Sequence, residues 1–302
     1  MERLSEAEVP TSKPRFDRGE AEEVSVRREP SLWQKVASDS QCLTGLIIVA
    51  SVGMTAMFAP WLIPYSPYDS GAEILSAPSW THPLGTDSLG RDQMARIVHG
   101  SRNSLMVVLF GAALSLLLGL IVGVIAGYRG GRIDTVLMRT MDAVMSIPAI
   151  LLAIVTVTVW GSGVWILVFI LGITYAPQFA RVVRAATLEV RNLEYIQAAV
   201  IGGASTRSIM MRHVLPNIFS TVIVQTTITM SLMLLIETVL SFLGMGVQPP
   251  NPSWGWMVAE GRQWMELAPW VILVPGLMIS YTIVGFVFLG DGLKRILGAH
   301  NL

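Results

Sequence analysis

The chain has 302 residues, of which 52% are hydrophobic and only 14% are charged, and its 21 basic residues equal its 21 acidic ones. Soluble domains carry about 25% charged residues, and disordered chains need low hydrophobicity, so this composition indicates a surface that meets lipid. A single cysteine, Cys42, excludes a disulfide framework and any site built from several cysteine ligands.

The chain begins with a polar tail over residues 1–41, which we expect to be largely disordered. Within it, Ser31–Ser40 has apolar residues on one side and is either a short interfacial helix or a plain linker. The remaining residues, 42–302, form a single transmembrane domain in this interpretation.

A bilayer core needs about 20 apolar residues in one helix. The charge-free stretches of the sequence have room for six such helices. The third and fourth share a long charge-free stretch, which Gly161-Ser162-Gly163 divides. The predicted fold class is therefore all-α integral membrane, with helices near 43–63, 104–128, 135–160, 164–184, 218–242 and 268–290.

The positions of lysine and arginine predict the orientation, because positive charge marks the cytoplasmic side of a membrane. With six spans, 17 basic residues fall on the side of the termini and 4 on the other. Both termini are therefore predicted to be cytoplasmic.

Two connections on the predicted outer side carry polar residues or tryptophan. The segment 64–103 contains Arg91, Asp92, Arg96 and Arg102, which are candidates for docking another protein. In the alternative, Asp87 and Asp92 pair with Arg91 and Arg96 and so fix the segment. The loop 244–267 and its border carry tryptophans that suit an interfacial aromatic belt, namely Trp254, Trp256, Trp264 and Trp270.

The long inner connection, 185–216, is predicted to form two helices with a glycine turn. The first helix covers Ala185–Ile201 and ends at Gly202-Gly203, and Ser205 or Thr206 caps the second. The second helix is predicted to end at Leu215-Pro216, since proline cannot continue a helix.

The chain lacks the residue patterns of a membrane enzyme or a nucleotide-binding protein. A P-loop needs a lysine directly after a glycine, and none of the three lysines in this chain follows a glycine. No His-Glu-x-x-His motif is present, and the four histidines are scattered, so we expect neither a metal site nor catalysis.

The inner connection resembles the EAA loop of binding-protein-dependent ABC importer permeases. That loop has the consensus Glu-Ala-Ala, three residues, Gly, nine residues, Ile-x-Leu-Pro, and Gln197 and His213 replace its Glu and Ile here. Further blocks resemble the C-type permease subunit of dipeptide and oligopeptide importers: His82-Pro83-Leu84-Gly85-Thr86-Asp87, Ser241-Phe242-Leu243-Gly244, Gln248 to Gly255, and Gly290-Asp291-Gly292-Leu293.

The resemblance implies a type I importer fold and a coupling helix that sits in a groove of an ATPase subunit. The residues that would make this contact are Gln197, Ala198, Ala199, Gly203, Arg207, Arg212, Leu215 and Pro216. The pattern alone fits an amphipathic helix on the lipid headgroups equally well.

The same resemblance implies the partners. They are a homologous second permease, two ABC ATPase subunits that bind ATP and magnesium, and an extracytoplasmic substrate-binding protein. This chain itself would hold no cofactor, and its location would be the bacterial cytoplasmic membrane.

The cargo implied by the resemblance is a dipeptide or oligopeptide, with nickel and glutathione importers sharing the same sequence blocks. An ion-driven carrier is a further alternative, although no internal repeat is evident. Glu237 is the only acidic residue deep within a predicted span, and it either lines the translocation path or bonds to a neighbouring helix.

Overall fold

The structure is a computed structural model that describes residues 32–63 and 65–298. Over these ranges the chain is helical, with one isolated antiparallel bridge between Thr86 and Asp92. The tail predicted to be disordered falls, up to residue 31, outside the described residues.

Most helices follow one another with short connections, apart from a long non-helical segment between α2 and α3. In chain order they are α1 (Leu32–Ser38), α2 (Ser40–Leu62), α3 (Gln93–Arg129), α4 (Gly131–Met145), α5 (Ala149–Trp160), α6 (Val164–Arg191), α7 (Glu194–Ile201), α8 (Thr206–Ile209), a π-helical segment (Met210–Val214), α9 (Leu215–Phe242), α10 (Trp254–Gly261), a 3₁₀ turn (Arg262–Trp264) and α11 (Trp270–Gly298).

Five described helices are long and apolar enough to cross a membrane, and a bent pair brings the number to six. The five are α2, α3, α6, the helical run Thr206–Phe242 that ends in α9, and α11. The predicted six spans are thus each represented by a helix or a helix pair.

The third predicted span, 135–160, is not one straight helix. It is the pair α4 and α5, which meet at an angle of 78°. The bend falls where Pro148, which has no amide hydrogen and restricts the residue before it, precedes α5.

The second span starts earlier than the apolar run predicts, at Gln93 instead of 104. The Asp92 side chain accepts a hydrogen bond from the Ala95 amide at 2.7 Å and so caps the helix. Helix α3 has 37 residues, or about 55 Å at 1.5 Å per residue, so it extends beyond a core of about 30 Å.

The most extensive helix packing in the described chain joins α3 to α6. It depends on glycines one turn apart on α3, where a side chain would collide with the facing backbone. A Cβ atom at Gly123 would lie 2.7 Å from the Ala180 carbonyl oxygen, and Gly119 and Gly127 are equally crowded. Small residues permit such close approach between membrane helices.

The two ends of the described chain meet where α11 packs against α2. Asp39, which precedes α2, accepts two hydrogen bonds of 2.9 Å from the Arg295 guanidinium near the end of α11. The guanidinium lowers the pKa of the Asp39 carboxyl to about 2, and the Cys42 amide adds a further hydrogen bond.

The glycine contact between α3 and α6 predicts that alanine lowers the stability of the protein at Gly123 and not at Gly53. Gly123→Ala should lower the free energy of unfolding by about 1–3 kcal/mol, because the facing backbone has to shift. Gly53→Ala on α2 is the matched control, since nothing lies within 4 Å of the added atom. Alanine is the better helix former, so this variant should be neutral or slightly more stable.

Thermal unfolding of the two variants in the same detergent measures the difference. Equal melting temperatures for Gly123→Ala and Gly53→Ala would show that the α3–α6 approach does not limit stability.

Candidate functional site

The connection between α6 and α9, residues 192–214, is fixed to the helix bundle along one apolar side. Ile196, Ile209 and Val214 are each at most 1% exposed. They belong to one buried cluster with Phe179 and Val183 of α6. The connection is therefore a supported element and not a free loop.

The opposite side of this connection is open to solvent in the chain as described. Gln197, Ala198, Arg207 and Arg212 are exposed, and neither arginine forms an ion pair with a described residue. Large apolar side chains lie beside them, including Ile201 at 87% and Met211 at 58% exposure. Exposed apolar residues next to unpaired charges are typical of a docking surface.

A glycine turn orients α7 relative to α8. Gly203 has φ of +78°, a conformation that L side chains rarely adopt, while nothing occupies the space where its Cβ would be. Glycine is therefore required at position 203 by the backbone conformation and not by lack of space for a side chain. The Ser205 side chain then accepts a hydrogen bond from the Ser208 amide at 3.3 Å and caps α8.

Two details of the predicted helices in this connection are wrong. The predicted helix Ala185–Ile201 is interrupted, because α6 ends at Arg191 and α7 starts at Glu194. The second helix does not stop at Pro216, because the π-helical segment joins it to α9 and the Leu215 amide donates to the Met210 carbonyl. A proline in the first turn of α9 needs no amide hydrogen, so the helix continues.

The other predicted contact residues have mixed environments. Ala199 and Leu215 are half-buried and pack against the apolar cluster beneath, whereas Pro216 is exposed. The structure thus leaves Gln197, Ala198, Arg207 and Arg212 exposed on this connection and packs Ala199 and Leu215 against the apolar cluster. The role of these residues in coupling stays a prediction.

Two ion pairs, which sequence reasoning missed, tie the start of the bent span to α6 just before this connection. The Arg184 guanidinium binds the Asp134 carboxylate at 2.5 and 2.6 Å, and Arg181 binds Asp142 at 2.6 Å. Both acids lie on α4, eight residues apart. That spacing of about two turns on one face was the signal available in the sequence.

A second charged site lies at the other end of α3 and is almost completely buried. Asp87 accepts hydrogen bonds from Arg91 Nε at 2.7 Å and from Arg96 Nη1. Glu260 of α10 accepts a hydrogen bond from Arg91 Nη2 at 2.6 Å and forms an ion pair with the Arg96 guanidinium at 2.9 Å. We call these four residues the charge cluster. Its two positive and two negative groups balance.

The expectation that local pairs fix the segment 64–103 is confirmed for Asp87 and wrong for Asp92. Asp92 binds the His82 imidazole Nδ1 at 2.7 Å instead of an arginine. The missing partner of the arginines is Glu260, which lies far away in sequence and could not be paired with them by local spacing.

One of the tryptophans assigned to an interfacial belt is a core residue. Trp254 is 0% exposed, and its indole Nε1 donates to the Ile97 carbonyl at 3.0 Å. Trp270 donates in the same way to the Thr86 carbonyl at 3.3 Å. These bonds attach α10 and α11 to the segment that carries the charge cluster.

Glu237 is also completely buried, on α9. Its carboxylate accepts a hydrogen bond of 2.8 Å from the Ser241 hydroxyl one turn later. This bond lies within α9, so the choice between a role in the translocation path and a bond to a neighbouring helix stays a prediction.

A multi-pass helical body whose supported connection exposes apolar and charged side chains is suited to a membrane protein that binds a partner at that end. The chain belongs to the family described as binding-protein-dependent transport system inner membrane component, whose sequence model matches residues 119–300.

Individual relatives extend this match over most of the chain. The di/tripeptide transport system permease protein DppC of Pseudomonas aeruginosa is 38% identical over 88% of this chain and 90% of its own length. The glutathione transport system permease protein GsiD of Pectobacterium atrosepticum is 39% identical over 88% and 89%.

The fold also matches a solved structure, the MetNI methionine ABC transporter in an inward facing conformation. The TM-score is 0.56 with 22% identity, over 68% of this chain and 97% of that chain. The predicted fold class, an all-α membrane permease of the ABC importer type, is confirmed.

The buried charge cluster predicts a large loss of stability when one arginine is neutralised. Arg96→Gln should cost about 3–5 kcal/mol, because Asp87 and Glu260 stay buried with half of their compensating charge. Arg181→Gln is the control, since its pair with Asp142 is about half-exposed. We expect that variant to lose about 0–1 kcal/mol.

The free energy of unfolding of both variants, measured in detergent at low and at high salt, tests the predicted losses. Comparable losses for Arg96→Gln and Arg181→Gln would show that the cluster contributes no more than a surface ion pair.

Proposed function

We propose that this chain is one permease subunit of an ATP-driven ABC importer for dipeptides or oligopeptides. The observation that carries the proposal is the open surface of residues 192–214 on a buried apolar base. The 38% identity to a di/tripeptide permease supports the cargo class.

The partners follow from what this chain lacks and from its family. A homologous permease would complete the translocation path, and two ATPase subunits would bind ATP and magnesium. A substrate-binding protein would deliver cargo from outside, in keeping with the family description. The chain itself performs no bond chemistry in this proposal.

The mechanism is alternating access driven by the ATPase subunits. ATP binding closes the ATPase pair and displaces the connection 192–214. Helix α6 leads directly into this connection, and its Arg184 holds Asp134 of α4 at 2.5 Å. Displacement is therefore passed to the bent pair α4–α5, and the two permeases open outward until hydrolysis resets them.

The orientation in this proposal places both termini, and with them residues 192–214, in the cytoplasm of a bacterium. The 17 basic residues on that side against 4 on the other support it. The charge cluster then lies on the outer side, where it braces the segment nearest the binding protein.

Glutathione is the second candidate cargo, because a glutathione permease is 39% identical over a similar share of the chain. Nickel remains an alternative from the sequence resemblance alone. Glutathione is itself a tripeptide and shares amide and carboxylate groups with other peptides, so it differs from them mainly in its γ-glutamyl linkage and its thiol.

Uptake by the reconstituted complex tests the function and the cargo together. The chain is co-purified with the subunits that assemble with it and placed in liposomes with the cognate binding protein. We expect uptake of a labelled tripeptide that requires ATP and stops when the P-loop lysine of the ATPase subunits is replaced.

Unlabelled glutathione and nickel are then added as competitors, and stronger competition by either would reassign the cargo. Uptake that is driven by an ion gradient, with no ATPase present, would contradict the proposal.

The glycine turn predicts a variant that separates ATP hydrolysis from transport. Gly203→Leu should insert normally and retain ATP hydrolysis while uptake falls at least tenfold, because leucine does not adopt a φ of +78° and α7 reorients. Gly203→Asn is the control, since asparagine tolerates this conformation. Normal uptake by Gly203→Leu would sink the coupling role.

A further inference from the structure

A crevice of about 270 Å³ lies between α6, α9 and α11, near the end of the bundle that carries residues 192–214. Helix α9 contributes its floor and α6 and α11 its walls. The polar residues that line it are Ser220, Thr221 and Gln225 of α9 and Lys294 of α11.

The hydroxyl groups on the floor differ from most others in the membrane helices. Hydroxyls further along α9 donate to carbonyls of their own helix, as Thr226 does to Val222 at 2.7 Å and Ser231 to Ile228 at 2.7 Å. Ser220 and Thr221 form no hydrogen bond with any described residue. Hydrocarbon penalises unpaired polar groups, so this floor is suited to water or to a polar ligand.

The crevice also carries a positive charge that no described residue neutralises. Lys294 forms no ion pair in residues 32–63 or 65–298, whereas the next residue, Arg295, is held by Asp39 at 2.9 Å. A lysine ammonium with free hydroxyls beside it offers the donors that a carboxylate needs.

The remaining lining is apolar and includes Val182, Val224 and Leu297. A crevice with one cationic end, a hydroxyl floor and apolar walls matches a short peptide. The carboxylate meets the ammonium, the backbone meets the hydroxyls, and the side chains meet the walls. Recognition through carboxylate and backbone does not depend on the peptide sequence.

We propose that this crevice is the cytoplasmic section of the cargo path and binds the carboxylate end of a departing peptide. Lys294 binds the carboxylate, and Ser220 and Thr221 hydrogen-bond to the peptide backbone. The assignment rests on the proposed function, since it takes the cargo to be a peptide.

Cysteine labelling in the purified complex tests the site without any need for transport. Cys42→Ala removes the one native cysteine and leaves a background for Ser220→Cys. A charged, membrane-impermeant thiol reagent is applied from the cytoplasmic side, with and without millimolar trialanine. We expect Ser220→Cys to react and trialanine to slow the reaction at least fivefold.

Trialanine amide, which lacks the carboxylate, should need an at least tenfold higher concentration than trialanine for half-maximal protection. Lys294→Gln should abolish this difference between the two peptides, and Lys294→Arg should keep it. Thr226→Cys is the matched control on the same helix and should stay unreactive, because Thr226 does not line the crevice. Thr221→Cys replaces Ser220→Cys if the latter does not assemble.

Several results would overturn the site. They are absence of labelling at both positions 220 and 221, equal protection by trialanine and its amide, or no effect of Lys294→Gln. Protection that follows the anionic phospholipid content and ignores peptide would assign the crevice to a lipid headgroup instead. ATP-driven peptide uptake is measured separately, so a complex that transports peptides but shows no protection retains the proposed function and loses only this site.

Discussion

Hydrocarbon offers no hydrogen-bonding partner, and this constraint decides most of the structure. It requires a helical backbone across the membrane, and it turns hydroxyls such as Thr226 back onto carbonyls of their own helix. Most charged groups are therefore placed at the ends of the bundle or in pairs, and the buried Glu237 is bonded to the Ser241 hydroxyl. Against this background, the few polar groups left without a partner on α9 are the ones that indicate a route for polar cargo.

Within that constraint, close packing gives the molecule a rigid part. The glycines of α3 bring its backbone against α6, and the buried isoleucines at 196 and 209 continue this packing into the connection 192–214. A docking surface can pass on a displacement only when its base does not yield. The bend of 78° between α4 and α5 is the place where our proposal puts the movement.

Charges at the two ends of α3 have different physical roles. At one end, the charge cluster is buried and balanced, and with the indole bonds of Trp254 and Trp270 it fixes the outer segment to α10 and α11. At the other end, Arg181 and Arg184 of α6 are partly exposed and join this helix to α4, the first helix of the bent pair. The first arrangement resists movement, and the second can transmit it.

The sequence by itself determined the membrane class, the six spans, the glycine turn at Gly203 and a helix cap at Ser205 or Thr206, because each depends on hydropathy or on backbone chemistry of neighbouring residues. It placed Trp254 at an interface and treated 135–160 as one helix, and both were wrong. The tertiary structure alone decided which side chains are buried and which charges meet. Glu260 binds Arg91 from 169 residues away, and Lys294 joins Ser220 in one crevice although they lie on different helices. Local sequence patterns determine which segments form helices, whereas the residues that meet across a helix contact depend on how the helices pack.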